Sequence, residues 1–282
     1  MAAKPFLGKL TLVTGGSSGI GLATAIKLSS IGADVWLLAR DKSHLETARV
    51  KVQAAALNSD QRFGVLSADV TDASEVKAVL SDFIHTTGVP DLLVNSAGVA
   101  HPGYFELLDV EIFDWMINVN YLGTVYVTKA VVPGMMQRGS GHIVNISSIA
   151  GFLGVFGYTA YGASKYAVRG FSDVLRAEMK PHGVHISIVY PPDTDTPQLA
   201  YEDQFKPPET KEISGSAHAM AADQVADAIL KGVARGRYTI LPGLEGKFYY
   251  RLSSLVGDLV YPVMDMMVSQ AQKKNHNNHH NS

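Results

Sequence analysis

Residues Leu10–Gly32, LTLVTGGSSGIGLATAIKLSSIG, carry the reading from which the fold follows. Leu10–Val13 is a short apolar run suited to a buried strand, and Leu22–Gly32 carries its apolar residues at helical spacing. Between them stands Thr14-Gly15-Gly16-Ser17-Ser18-Gly19-Ile20-Gly21. Strand, glycine loop and helix in that order suit the pyrophosphate of a dinucleotide. Glycines permit positive φ and close backbone approach, and the free amides of a helix start attract an anion. A glycine loop is also a common tight turn, so the weight rests on its place between strand and helix.

Outward from this unit the same alternation repeats. Strands are expected at Asp34–Ala39, within 63–70, at 91–94, at 141–147, at Val184–Val189 and at 238–241, with helices at 43–57, 73–87, 107–138 (broken near 118–123), about 158–180 and 223–235. Strands alternating with helices at this interval specify an α/β fold, a doubly wound parallel sheet of Rossmann type covered on both faces. No internal repeat or long linker divides the chain, so residues 1–246 read as one domain.

The ends of these strands supply the candidate chemistry. Asp34–Ala39 ends in Arg40 rather than in an acid. A carboxylate there would accept from a free ribose 2′-hydroxyl, whereas a guanidinium can grip a 2′-phosphate, which favours NADPH over NADH. Lys42 and His44 could assist, although a solvated loop suits them better. Asp69 and Val70 end the third strand, where Asp69 could accept from the adenine amino group or serve as a helix cap. Asn95-Ser96-Ala97-Gly98 places small residues where a backbone would pack against a cofactor ring.

The stretch SIAGFLGVFGYTAYGASK, Ser148–Lys165, holds a hydroxyl, a phenol and an ammonium at spacings suited to moving one proton. Tyr161 and Lys165 are four apart and leave one face of a helix beginning near Tyr158. A nearby ammonium and a helix start both favour the phenolate, so the tyrosine's pKa is expected to fall toward neutrality. Ser148 follows a buried strand and could hydrogen-bond a substrate oxygen beside the phenol. Asn120, in an apolar helix, needs a partner: it could bend the helix and hold a water near Lys165, or satisfy a loose carbonyl. The proline-rich run YPPDTDTPQLAYEDQFKPPET from Tyr190 reads as a substrate-covering loop over about 191–220.

Composition narrows the partners. A net charge of −2 provides no excess of cations for a phosphate backbone, which argues against nucleic acid. The chain has no cysteine, which removes disulfides and thiolate metal sites, and no metal site is expected. No uncharged apolar run reaches the length of a membrane span, and the amino terminus has no apolar signal core, so a soluble, cytoplasmic protein is expected.

Taken together, Thr-Gly-x-x-x-Gly-x-Gly at Thr14–Gly21, Asn-x-Ala-Gly at Asn95–Gly98, Asn120, Ser148 and Tyr-x-x-x-Lys at Tyr161–Lys165 resemble the short-chain dehydrogenase/reductase family over about residues 7–241. The resemblance implies Ser148, Tyr161, Lys165 and Asn120 as the catalytic set, with protons replaced through Lys165, water and Asn120. It implies NADPH/NADP+ contacts from Gly15, Ser17, Ser18, Gly19, Ile20, Gly21, Arg40, Asp69, Val70, Asn95, Ala97, Gly98, Tyr161, Lys165, Pro191, Thr194 and Thr196. Within the family, Tyr190–Pro197 (YPPDTDTP), Asn120–Gly123 and the Ser148–Lys165 context are similar to the 3-ketodihydrosphingosine reductases, NADPH enzymes of sphingolipid synthesis. That likeness implies a ketoreductase acting on a long-chain, lipid-like ketone. Two departures stand against the transfer: the spanning segments of eukaryotic members, and Ser96 in place of the family's commonest asparagine. A reductase of another apolar carbonyl (steroid, fatty or xenobiotic) and a non-catalytic NADP-binding module are the rival readings. A homo-oligomer, dimer or tetramer, is expected.

Residues 247–282 read as an amphipathic helical extension and polar tail. At helical spacing Phe248, Leu252, Leu255, Val256, Leu259, Val263, Met266 and Met267 share a face, with Arg251, Ser254, Asp258 and Asp265 opposite and Pro262 expected to kink or divide the helix. The stripe could pack on its own domain, on a second subunit, or peripherally on the cytoplasmic face of a membrane, bordering the route of the substrate.

Overall fold

The computed structural model describes residues 5–214 and 219–280. Residues 215–218 of the expected substrate loop, the last two residues of the extension and the side chain of Ser254 lie outside the described residues. In chain order the elements are β1 (Leu10–Thr14), α1 (Gly19–Ser30), β2 (Asp34–Ala39), α2 (Lys42–Ala54), β3 (Phe63–Ser67), α3 (Ala73–Thr86), β4 (Leu92–Asn95), α4 (Val110–Met116), α5 (Gly123–Arg138), β5 (Gly141–Ile146), α6 (Thr159–Met179) and β6 (Val184–Val189). Then follow β7 (Thr194–Asp195), α7 (Pro197–Glu202), α8 (Pro208–Ser214), β8 (Met220–Ala221), α9 (Ala222–Val233), β9 (Thr239–Ile240), α10 (Glu245–Val256) and α11 (Val260–His280).

Seven of these strands form one sheet in the order β3-β2-β1-β4-β5-β6-β9, in which every pairing is parallel, and β7 and β8 pair separately. Alternation along each strand sends neighbouring side chains to opposite layers. Val13, Val35, Leu37, Val94, Val144 and Val189 meet α1, α2 and α9 through Leu28, Leu45, Val52 and Ile229. Leu12, Leu38, Leu93, Ile143 and Ile186 meet α3, α5 and α6 through Leu80, Phe83, Val131 and Met179. Burying each large apolar side chain contributes about 1.5–3 kcal/mol, so the two layers hold the sheet between them. The strand order reverses between β1 and β4, which opens a crevice beyond their carboxyl ends.

The expected break near residues 118–123 is a π-helical turn over Ile117–Leu122 joining α4 to α5. At the carboxyl end the division comes at Gly257 rather than at Pro262. Gly257 takes φ 54° and ends α10, whereas Pro262 sits in the first turn of α11, where its missing N–H has no intrahelical acceptor to lose. The extension starts at Glu245, and α11 packs on α8, with Lys274 Nζ 2.6 Å from Glu212 Oε1. No described helix is long and apolar enough to cross a membrane.

Candidate active site

A cavity of about 590 Å³ runs along the carboxyl edge of the sheet. It is lined in turn by Gly15 and Ser17–Ile20 after β1, Ala39–Asp41 after β2, Ala68–Val70 after β3, Ser96–Val99 after β4, Ile146–Ala150 after β5 and Pro191–Thr194 after β6. The parallel topology gathers these segments, because every strand ends on the same edge.

The glycine loop is held tightly. Gly15 has φ 62°, and a Cβ there would come 2.7 Å from the Ser96 carbonyl oxygen, so only glycine lets the loop lie against the end of β4. The Thr14 hydroxyl accepts from the Ser96 and Ala97 amides, each at 3.1 Å, and locks the same junction. Ser18 precedes α1 without capping it through its side chain, and Ser18, Gly19 and Ile20 line the cavity. This uncapped helix start fits a pyrophosphate. Gly21 lies behind the loop instead of lining the cavity, where a Cβ would collide with the Gly15 carbonyl oxygen.

At the far end of the cavity the Arg40 guanidinium is 66% exposed, its Nη1 3.8 Å from Asp69 Oδ2. Asp69 accepts from the Thr71 amide (2.9 Å) and hydroxyl (2.8 Å), while Asp72 caps α3, so the capping expected of Asp69 falls to its neighbour. Arg40 and Asp69 both line the cavity, with Asp41 and His44 beside them. Asp41 caps α2 through the His44 amide, and the Ser43 hydroxyl, then that amide, hold its carboxyl below the usual range. An exposed guanidinium with one long ionic contact is a fit for a phosphate on the adenosine ribose.

Asn95 is not in the cavity. Its side chain is buried and donates to Thr128 Oγ1 (3.0 Å) and Asn145 Oδ1 (2.9 Å), and Asn145 donates in turn to Ser172 Oγ (2.9 Å). Four polar side chains thus tie β4 and β5 to α5 and α6, and the pleat decides this, because Asn95 points away from the crevice that Ser96, Ala97 and Gly98 line.

At the reactive end, Ser148, Tyr161 and Lys165 all face the cavity. Ser148 follows β5 and its Oγ accepts from the Ala150 amide at 3.2 Å. Tyr161 and Lys165 share one face of α6, with Lys165 Nζ 5.6 Å from the tyrosine ring centroid and donating to the Ile146 carbonyl at 3.1 Å. Asn120, in the π turn, accepts from the Val99 amide (2.8 Å) and donates to the Val99 carbonyl (2.9 Å) and Ser164 Oγ (2.8 Å). It is buried behind the cavity wall and braces the Gly98–Val99 segment against α6; a Cβ on Gly98 would come 3.2 Å from Asn120 Oδ1 and 3.3 Å from Lys165 Nζ.

The expected fall in the Tyr161 pKa is corrected. Burial and then the Glu202 charge raise it above the ordinary phenol value, and hydrogen bonding with Ser148 only partly opposes them. The shift falls on the lysine instead: burial lowers Lys165 from 10.5 to about 8, opposed by Glu202. A four-residue spacing reports that the two groups are close but not that both are out of water.

Residues that spacing did not reveal complete the far wall. Glu202, at the end of α7, is buried and accepts from the Tyr158 hydroxyl (Oε2, 2.7 Å) and from Gln198 Nε2 (Oε1, 2.8 Å). The expected loop about 191–220 therefore contains α7 and α8, and Pro191, Thr194 and Thr196 in its first turn line the cavity. The wall is closed by the extension, through Tyr249, Leu252, Val260, Val263, Met264 and Met267.

A family profile described as short chain dehydrogenase matches residues 9–206. The chain belongs to the short chain dehydrogenase family. It is 43% identical over 249 residues to a 3-dehydrosphinganine reductase of Danio rerio, covering 88% of this chain and 74% of that protein. It is 41% identical to a 3-ketodihydrosphingosine reductase of Bos taurus, covering 92% and 77%. Among solved structures, a short-chain dehydrogenase from Sphingobium yanoikuyae in complex with NADPH superimposes with a TM-score of 0.75 at 29% identity, covering 89% of this chain and 94% of that one.

Proposed function

We propose that this chain is an NADPH-dependent ketoreductase that converts 3-ketodihydrosphingosine to dihydrosphingosine, the activity named for its Danio rerio and Bos taurus relatives. The observation that carries the reading is the continuity of one cavity from the glycine loop and Arg40, through Ser148, Tyr161 and Lys165, to an apolar wall built by α10 and α11. Gly15, Ser17–Ile20, Arg40, Asp69, Val70, Ala97, Gly98, Pro191, Thr194 and Thr196 would hold NADPH. When bound, the cofactor supplies a hydride to the ketone carbon.

The side chains supply the proton. Tyr161, kept protonated at neutral pH by its burial, gives its proton to the ketone oxygen while Ser148 donates a hydrogen bond to the same oxygen. Lys165, with a pKa of about 8, is mostly an ammonium at neutral pH and stabilises the negative charge that develops on the phenol. Asn120 and Thr14 keep the Ser96–Val99 backbone in place.

The test is NADPH consumption by the purified chain with 3-ketodihydrosphingosine, a steroid ketone and a fatty ketone. Preferred turnover of the sphingoid ketone is expected. Preferred turnover of another apolar ketone would move the substrate within the same mechanism, and turnover of none would refute the enzyme reading.

We also propose that the extension meets a membrane surface peripherally, on its cytoplasmic face. Its inner side chains line the cavity, whereas Phe248, Leu255, Leu259, Tyr261 and Met266 are exposed, Leu255 by 89%. A lipid-like substrate would then pass from bilayer to cavity along one pair of helices. A dimer dissociated by Leu255→Glu with Leu259→Glu would instead make this face a subunit contact.

A further inference from the structure

Glu202 is a buried carboxylate at the substrate end of the cavity, and the proton transfer does not use it. No cation among the described residues forms an ion pair with it. Of the two lysines whose charges interact with it, Lys206 is already held by Asp203 (2.7 Å) and Asp193 (3.3 Å), and Lys165 donates to the Ile146 carbonyl (3.1 Å). Each Glu202 oxygen has one hydrogen-bond partner, Tyr158 on one and Gln198 on the other, and each can accept a further bond. Asp193 lines the same end. Near the reacting phenol the cavity therefore has an acidic pole, and beyond it an apolar wall of Leu153, Val155, Leu252, Val263 and Met267.

The carboxylate is close to the chemistry. The Tyr158 and Tyr161 rings lie 5.6 Å apart, and the Glu202 charge acts on both Tyr161 and Lys165. A cation placed against Glu202 while a carbonyl oxygen meets Tyr161 must belong to a group near the ketone. Resting on the function proposed above, this is the arrangement of 3-ketodihydrosphingosine, whose amine stands on the carbon next to the carbonyl and whose hydrocarbon chain leaves from the other side.

We propose that Glu202 receives the 2-ammonium group of the substrate and selects amino ketones over plain ketones. The ammonium offsets the cost of an ionised carboxylate out of water, and a ketone without an amine offers nothing in return. Burial pushes the Glu202 carboxyl above its usual range, and the same weakly polar surroundings strengthen its attraction for a cationic ligand. Holding the amine as a cation also keeps the neighbouring carbonyl poor in electrons and open to reduction.

The experiment compares 3-ketodihydrosphingosine with a 1-hydroxy-3-ketone of the same chain length lacking the amine, using the full chain and Glu202→Gln, which keeps the side-chain shape. The unaltered protein is expected to prefer the amino ketone in kcat/KM by roughly 30-fold or more, the size expected when a buried charge loses its partner. In Glu202→Gln that ratio is expected to fall to within a few-fold of one, through the amino ketone, with the Kd for NADPH unchanged. Equal loss on both ketones, or a ratio kept in the variant, would overturn the assignment. Turnover of both ketones alike by the unaltered protein would overturn it even if the variant failed to fold, and would leave the reductase reading standing. Turnover of neither ketone would refute that reading and the assignment with it.

Discussion

Lys165→Met is expected to make the fold more stable and the enzyme inactive. The lysine ammonium is buried, and burial lowers its pKa from 10.5 to about 8. A cation whose pKa is lowered on folding is released more readily by the folded chain, so between about pH 8 and 10.5 the unfolded chain binds more protons and stability rises with pH. At about pH 7 the charged lysine therefore costs the fold about 3 kcal/mol relative to a side chain that never ionises; by about pH 9.5 the cost has dropped to roughly 1 kcal/mol. Methionine is of similar length but loses the hydrogen bond to the Ile146 carbonyl, worth about 1 kcal/mol. The variant should accordingly be about 2 kcal/mol more stable at about pH 7, an advantage that shrinks by about 2 kcal/mol by about pH 9.5. Urea unfolding of both proteins at the two pH values, without added cofactor, reads the difference, in which the titrating groups that do not interact with Lys165 cancel. A variant less stable at neutral pH, or a difference independent of pH, would refute the reasoning that the ammonium is held against its desolvation for the sake of function.

Tyr161→Phe should lower kcat by roughly 100-fold or more while NADPH binds with nearly unchanged Kd, because the ring still packs and only the proton donor is gone; near-normal turnover at neutral pH would remove Tyr161 from that role. Arg40→Asp should reverse the cofactor preference in kcat/KM from NADPH to NADH, since it would place two carboxylates, its own and that of Asp69, where the 2′-phosphate would lie; an unchanged ratio would mean that the phosphate is held elsewhere. Leu255→Glu with Leu259→Glu, both at exposed positions, should abolish flotation with anionic liposomes and leave thermal unfolding in place; equal recovery of both proteins in the soluble fraction would refute membrane contact.

The fold and the gathering of its strand ends were legible in the sequence because their causes are local. Glycines between strand and helix, apolar runs of strand length, and a tyrosine and lysine one helical turn apart each report on a few neighbouring residues, and right-handed parallel connections leave few ways to assemble them. What spacing could not report was which neighbours each side chain would meet. Asn95 and Ser96 are adjacent in the chain, yet the pleat turns one into a buried network and the other to the cavity. Pro262 is a helix breaker by composition, but the turn at Gly257 places it where a helix tolerates it. The pKa of Tyr161 depends on water being excluded and on Glu202, forty-one residues away, being folded in beside it. Local geometry is written in the order of residues; desolvation and the meeting of distant charges arise only when the layers close, and those were decided by the tertiary structure.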